Sequence, residues 1–234
     1  AYRQSSLERG GLRTRDPQNR LLARQSRFRI EAEFVRDTAL EISGLLVKEI
    51  GGDPAKPYQP EGYYAYLNFP KRTYRSHKGT QQYRRGVYMH WQRTFLHPML
   101  LAFDAPSREE CTAERPISNT PLAALTLLND PTFVEASRVF AERILSDGGE
   151  SDTDKLHWAW RRTLSRQPTE QELALLQSLL EQHRQNYTDD PAAAKKLLEI
   201  GLHPTPERMD VVELAAWASV ARAILNLNET ITRN

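Results

Sequence analysis

The sequence predicts a mainly α-helical fold: a helical domain with a long irregular, aromatic-rich insertion and little β structure. Three observations predict it. Thr-Pro and Asp-Pro pairs recur along the chain, apolar residues repeat at three- and four-residue spacing, and the one long stretch without that period is broken by prolines. In each pair the first side chain can accept from the free N–H groups of a helix's first turn. The proline, which has no N–H to lose, then takes the first helical position.

Taken in order, Asp16-Pro17 is the first such pair. Residues 27–46 predict a helix with Ile30, Phe34, Ala39 and Ile42 facing inward and Gly51-Gly52 beyond its end. The insertion covers about 51–92, where Pro54, Pro57, Pro60 and Pro70 with Gly62 and Gly79 leave no period. Loops of this length in compact domains are commonly functional or disordered. Here Tyr58, Tyr63, Tyr64, Tyr66, Phe69 and Tyr74 supply area to bury, which argues against disorder. Residues 86–91 within it predict a short strand or a buried extended segment. Thr120-Pro121 and Asp130-Pro131 open two more helices, and the Gly- and Ser-containing run 146–152 reads as a linker. The expected division is a first part, 1–146, and a C-terminal helical part, 147–234, packed on it as one domain. Thr169-Glu170-Gln171-Glu172 has the pattern of a capping box, with Leu173, Leu176, Leu180, His183 and Tyr187 on one helical face behind it. Asp190-Pro191 and Thr205-Pro206 are the remaining starts. The last helix is expected over 206–227, with Val211, Leu214, Ala215, Ala218 and Leu225 facing inward.

Charged residues at 26% and hydrophobic ones at 39% are ordinary proportions for a globular chain long enough to bury a core. No apolar run is long enough to predict a membrane span. The opening residues, Ala1 to Ser6, carry neither an initiator Met nor an apolar stretch, so we expect a piece of a larger protein without a signal peptide in these residues. Cys111 stands alone, which excludes an internal disulfide, a Cys-x-x-Cys-His haem attachment and a multi-Cys zinc site within this chain. The net charge of +2 conceals an uneven distribution. No acidic residue lies between Glu61 and Asp104, whereas Lys71, Arg72, Arg75, Lys78, Arg84, Arg85 and Arg93 all do. Such a segment favours an anionic partner.

Several stretches together resemble a planctomycete domain of unknown function. They are Arg84-Arg85-Gly86-Val87-Tyr88, the run from Phe103-Asp104-Ala105-Pro106-Ser107-Arg108-Glu109 through Cys111, Arg115 and Ser118-Asn119-Thr120-Pro121, and Leu127-Leu128-Asn129-Asp130-Pro131. Tyr2-Arg3-Gln4-Ser5-Ser6, Lys56-Pro57-Tyr58-Gln59-Pro60-Glu61-Gly62 and Ala221-Arg222-Ala223-Ile224-Leu225-Asn226-Leu227 fit the same pattern, so the likeness spans nearly the whole chain. Asn228 departs from it, standing where an Asp is expected. The resemblance implies a C-terminal neighbour of cytochrome c-like domains in exported or surface proteins, with a tie to polysaccharide breakdown. It implies no established activity. Any haem would belong to neighbouring domains, and no cofactor is expected in this chain.

Four groups of residues could carry chemistry. The densest polar cluster is Asp104, Arg108, Glu109, Cys111, Arg115, Ser118, Thr120, Asn129 and Asp130. Functionally, Arg108 and Arg115 would hold an anion with Asp104 as acid/base partner. Structurally, Asp104 would pair with one Arg while Thr120 and Asp130 cap helices. Cys111 could act as a nucleophile beside His77, His90 or His97, although a lone thiol is more commonly inert. The six histidines include no pair at helical metal-ligand spacing, and His183 sits on an apolar face. Residues 63–93 interleave Tyr64, Tyr66, Tyr74, Tyr83, Tyr88 and Trp91 with Arg72, Arg75, Lys78, Arg84 and Arg85. That mixture suits an anionic glycan or a single-stranded nucleic acid. It equally suits rings that pack a loop while cations reach solvent. His157-Trp158-Ala159-Trp160-Arg161-Arg162 reads as core plus solvated arginines.

The sequence therefore predicts a non-catalytic binding or docking module of a larger exported, cytochrome-linked protein, possessing affinity for anionic polysaccharide. Its candidate ligand-binding residues are Arg85, Tyr88, Trp91, Arg93, Asp104, Arg108, Arg115 and Asn129, with no metal ligands and no assigned catalytic residue. The alternatives are a catalytic or gating part of a polysaccharide-active oxidoreductase or hydrolase and, disfavoured by the exported setting, a nucleic-acid-binding protein. Expected partners are other domains of the same polypeptide and anionic glycan.

Overall fold

The computed structural model describes residues 4, 6, 10–67, 71–93 and 95–233. Tyr2, Arg3, Ser5, Phe69 and Pro70, used in the sequence reading, lie outside them. The fold is mainly α. Its helices are α1 (Leu12–Arg15), α2 (Ala32–Ser43), α3 (Pro98–Ala102), α4 (Pro121–Asn129), α5 (Pro131–Asp147), α6 (Asp152–Leu164), α7 (Glu170–Asp189), α8 (Pro191–Leu198) and α9 (Val211–Leu225). Among the described residues the sheet is one antiparallel pair, β1 (Phe28–Arg29) with β2 (Thr232–Arg233), which ties the two ends of the fold together.

Helix starts obey the capping chemistry at Thr120, Asp130 and Asp190, whose side chains accept from Ala123, Thr132 and Ala193 N–H with Pro next in line. Thr169 and Glu172 form the reciprocal capping box. Two pairs behave otherwise. Asp16 closes α1 rather than opening a helix, and its carboxylate accepts from the N–H groups of Arg20 and Leu21 in a tight turn. Thr205 donates to the Leu198 carbonyl; Asp210, five residues on, caps the last helix. Helix α9 is accordingly shorter than 206–227.

Residues 27–31 are extended where the sequence predicts helix, because β1 is held by β2 and Ile30 N–H donates to Ile231 O. Phe34 is exposed, and Val35, Arg36, Ala39 and Leu40 take the inner face of α2. The 146–152 linker is narrower than expected, because α5 runs through Asp147 and Ser151 already caps α6.

Helix α9 is buried on all sides through Leu214, Ala215, Ala216, Trp217, Val220, Ala221 and Ile224. A helix apolar all round belongs at the centre of a bundle. Its small alanines let α5, α7 and α8 approach closely, and each large apolar side chain buried there contributes about 1.5–3 kcal/mol. Helix α5 is buried too, from Thr132 to Glu142, and it carries Glu135 and Arg138 inside with it. Those two charges are where the insertion and the loop before α9 attach.

Candidate functional site

The insertion is a wrapped strap whose inner side is fixed by buried polar groups. Glu135, 1% exposed, accepts from Tyr58 Oη at 2.8 Å and Tyr83 Oη at 2.7 Å, and from the N–H groups of Leu202 at 2.6 Å and His203 at 2.7 Å. One carboxylate thus joins the strap, α5 and the loop after α8. Gly201, at φ +107°, is needed there, since a Cβ would run into the Glu135 carboxyl group. Arg36, fully buried on α2, donates to the carbonyls of Gln82 and Arg84, both at 2.5 Å. Arg84 in turn donates to the Asp53 and Gly51 carbonyls and lies 4.3 Å from the Tyr88 ring centroid. Gly86 donates to Asp37 and rests on the Glu33 backbone, with a Cβ placed only 2.8 Å from Glu33 Cα. So residues 86–91 form a 3₁₀ turn and then an extended run bridged to Ala55, rather than a regular strand.

His97 completes the inner side. Its Nδ1 accepts from Met99 N–H as the cap of α3, and its Nε2 lies 2.6 Å from the Tyr58 carbonyl. Only the neutral ring protonated at Nε2 satisfies both contacts. Burial lowers its pKa to about 4, against the raising effect of the Tyr58 carbonyl.

The predicted polar cluster does not converge on one pocket. Asp104 pairs with Arg29 on β1, at 2.5 Å, and accepts from the Ser118 N–H and hydroxyl. Burial pushes its carboxyl up, but those Ser118 and Arg29 contacts together hold it below the ordinary range. Arg115 is engaged by Glu33 at 2.8 Å and Glu31 at 3.2 Å. The exposed Arg108 stacks over Trp91 at 3.9 Å. Asn129 donates back to Leu125 O within its own helix, and Cys111 is exposed. Tyr88 accepts from Gly51 N–H, Arg85 is half-buried and Arg93 is exposed. The expected acid/base arrangement of Asp104 with Arg108 or Arg115 is therefore replaced by separate local pairs, because each acid finds a nearer partner on another element. Trp160 is buried while Arg161 and Arg162 are exposed.

The outer side of the strap differs. Lys71, Arg72, Arg75 and Lys78 are exposed and make no ion pair with any described carboxylate. Arg72, Arg75 and Lys78 rim a cleft of about 610 Å³ whose walls include Gly62, Tyr63, Tyr64, Tyr74 and the carboxylate-bearing Glu61. An adjoining lobe of about 370 Å³ is lined by Lys56, Tyr64, Lys71, Arg72, Tyr74 and His90. The two share Tyr64, Arg72, Thr73 and Tyr74. The rings are held edge to face, Tyr64 and Tyr74 with centroids 5.4 Å apart, and their hydroxyls stay protonated because burial raises their pKa. Tyr66 alone among the strap's tyrosines is widely open, at 81% exposure. Sequence reasoning passed over Lys56, and it marked the 71–78 cations as favouring an anion without placing them among the candidate ligand-binding residues. Their signal was the acid-free run itself, whereas the aromatic-rich 83–93 stretch drew the choice of candidates.

Fold and cleft together define an all-helical module with a strapped-on cationic face. The chain belongs to the PSD1 family, described as a protein of unknown function (DUF1553), whose model matches residues 1–180. Helices α8 and α9 lie beyond the matched residues yet share the same core. No curated protein and no solved structure matches the chain. Among the described residues no helix is long and apolar enough to cross a membrane, and no three His, Cys, Asp or Glu side chains gather as a metal site.

Proposed function

We propose that the chain is a non-catalytic recognition module of a larger exported protein and that it binds anionic polysaccharide through the cleft on the outer side of the strap. The observation that carries this is a set of exposed cations, Lys71, Arg72, Arg75 and Lys78, that make no ion pair with a described carboxylate and line a tyrosine-walled groove and its adjoining lobe. Exposed cations without carboxylate partners attract polyanions, and low-dielectric aromatic walls concentrate that field. Apolar contact with a sugar ring is available at Tyr63 and Tyr74, which line the cleft and are only partly buried. The exported, cytochrome-linked setting rests on the sequence resemblance alone. A catalytic role loses its proposed constellation, since the Asp104 carboxylate is committed to Arg29 and Ser118.

A glycan array of sulfated, carboxylated and neutral polymers, probed with wild type and with the Arg72→Ala/Arg75→Ala double variant, tests the reading. Binding to anionic polymers only, weakened by about tenfold or more in the variant and by added salt, is expected for contacts of this kind. Absence of binding, hits equal in wild type and variant, or tighter binding to single-stranded oligonucleotides than to any glycan would remove it.

A further inference from the structure

We propose that Lys56, Lys71, Arg72 and His90 form an oxyanion subsite, the smaller lobe of the cleft, which takes a single sulfate, phosphate or carboxylate group of the ligand. The inference rests on the polysaccharide reading only for what carries that group. Four nitrogen-bearing side chains from three separate segments line this lobe, with no described carboxylate among its walls. Like charges gathered without a counter-charge repel one another, and an oxyanion relieves that repulsion. Exposed lysines alone would not make a site, but here the backbone fixes the arrangement. Lys56 is pinned by His77, whose N–H donates to Lys56 O at 2.8 Å and whose Nδ1 accepts from Lys56 N–H at 3.2 Å. His90 is pinned through Ala55, its N–H donating to Ala55 O at 2.7 Å, and its ring packs 6.5 Å from that of Tyr74.

His90 gives the subsite a proton-linked character. Burial lowers its pKa below the usual imidazole value, and Lys56 and Arg72 lower it further. It is therefore neutral in the empty lobe near neutrality. A bound anion offsets both cations and favours the imidazolium, so binding takes up a proton and tightens as pH falls. The other groups facing it are Tyr64 and Tyr74, whose hydroxyls stay protonated, and the cationic side chains of Lys56, Lys71 and Arg72, with Arg36 and Asp130 acting on Tyr74 through their charges. His77 is a second imidazole beside the subsite, its Nδ1 accepting from the Lys56 N–H.

The test titrates the full chain with sodium sulfate at constant ionic strength and follows the His90 ring protons by NMR. Sulfate keeps its double charge throughout the range in which histidine titrates. Saturable shifts are expected, with the His90 titration midpoint rising by about one pH unit and sulfate binding up to about tenfold tighter near pH 5.5 than near pH 8. Arg72→Gln, at an exposed position, should weaken sulfate binding by about tenfold, and His90→Gln should leave binding independent of pH. No sulfate-dependent shift at His90, or a pH dependence that survives His90→Gln and disappears in His77→Gln, overturns the proposal. Dextran sulfate and uncharged dextran separate it from the wider reading. Dextran sulfate bound equally by wild type, Arg72→Gln and His90→Gln would sink the subsite and leave glycan recognition standing. Sulfate bound as expected with no anionic polysaccharide bound would do the reverse.

Discussion

At the scale of single residues, His97 shows how burial selects a protonation state. It is buried, with Nδ1 accepting from Met99 N–H and Nε2 donating to the Tyr58 carbonyl, and its pKa is lowered to about 4. In the unfolded chain the ring titrates near 6.5. The unfolded state therefore binds the extra proton first as pH falls. Stability contributed by neutral His97 is complete above about pH 6.5 and is lost progressively towards about pH 4. The loss should reach about 3 kcal/mol. Urea denaturation at a series of pH values checks this, and His97→Gln should flatten the curve in that window. Glu172 works in the lower window, where Arg166 and the Thr169 cap hold its pKa at about 2, so its contribution fades only below about pH 4.5.

At the scale of elements, the junction of α4 and α5 turns on Asp130. Its N–H closes α4 on Thr126 O, and its carboxylate accepts from Thr132 N–H at 2.9 Å to open α5. Burial pushes its carboxyl up, while Thr132 and the distant charge of Arg36 pull the other way. Asp130→Ala removes the cap and should cost about 1–2 kcal/mol in thermal or urea unfolding, whereas Asp130→Asn, which keeps an acceptor oxygen and buries no charge, should lose less than half of that. An equal loss in both variants would show that charge, not capping, is what the position supplies. The caps at Thr120, Asp130, Thr169 and Asp190 were all legible in the sequence, because a cap is a local bargain between one side chain and the next three N–H groups. Asp16 and Thr205 were misread for the same reason: a Pro after a capping residue suits a turn as well as a helix, and only more distant packing chooses.

At the scale of the whole molecule, the strap, α5 and the loop after α8 are joined at Glu135. Glu135→Ala would leave two tyrosine hydroxyls and two backbone N–H groups of Leu202 and His203 without an acceptor, each costing about 1–3 kcal/mol when buried. We expect a fall in stability of at least about 3 kcal/mol, with native-state hydrogen exchange showing the Ala55 and His90 amides of the strap opening well before those of α5. Exchange of strap and α5 amides at one common free energy in the variant would mean that Arg36 and Arg84 hold the strap unaided.

The sequence by itself determined that the fold is mainly helical, where most helices begin, that the 51–92 stretch carries tyrosines with area to bury, and that cations without acids run through it. Each follows from neighbours in the chain: period, caps, prolines and local charge. Only the tertiary structure decided which rings and cations face inward. Tyr58, Tyr83 and Arg84 are spent inside on Glu135 and backbone carbonyls, and Asp104 is spent on Arg29, whereas Arg72 and Arg75 remain outside. Sequence composition is alike on both sides of the strap. The difference arises because a buried charge must find a partner, and those partners lie tens of residues away along the chain.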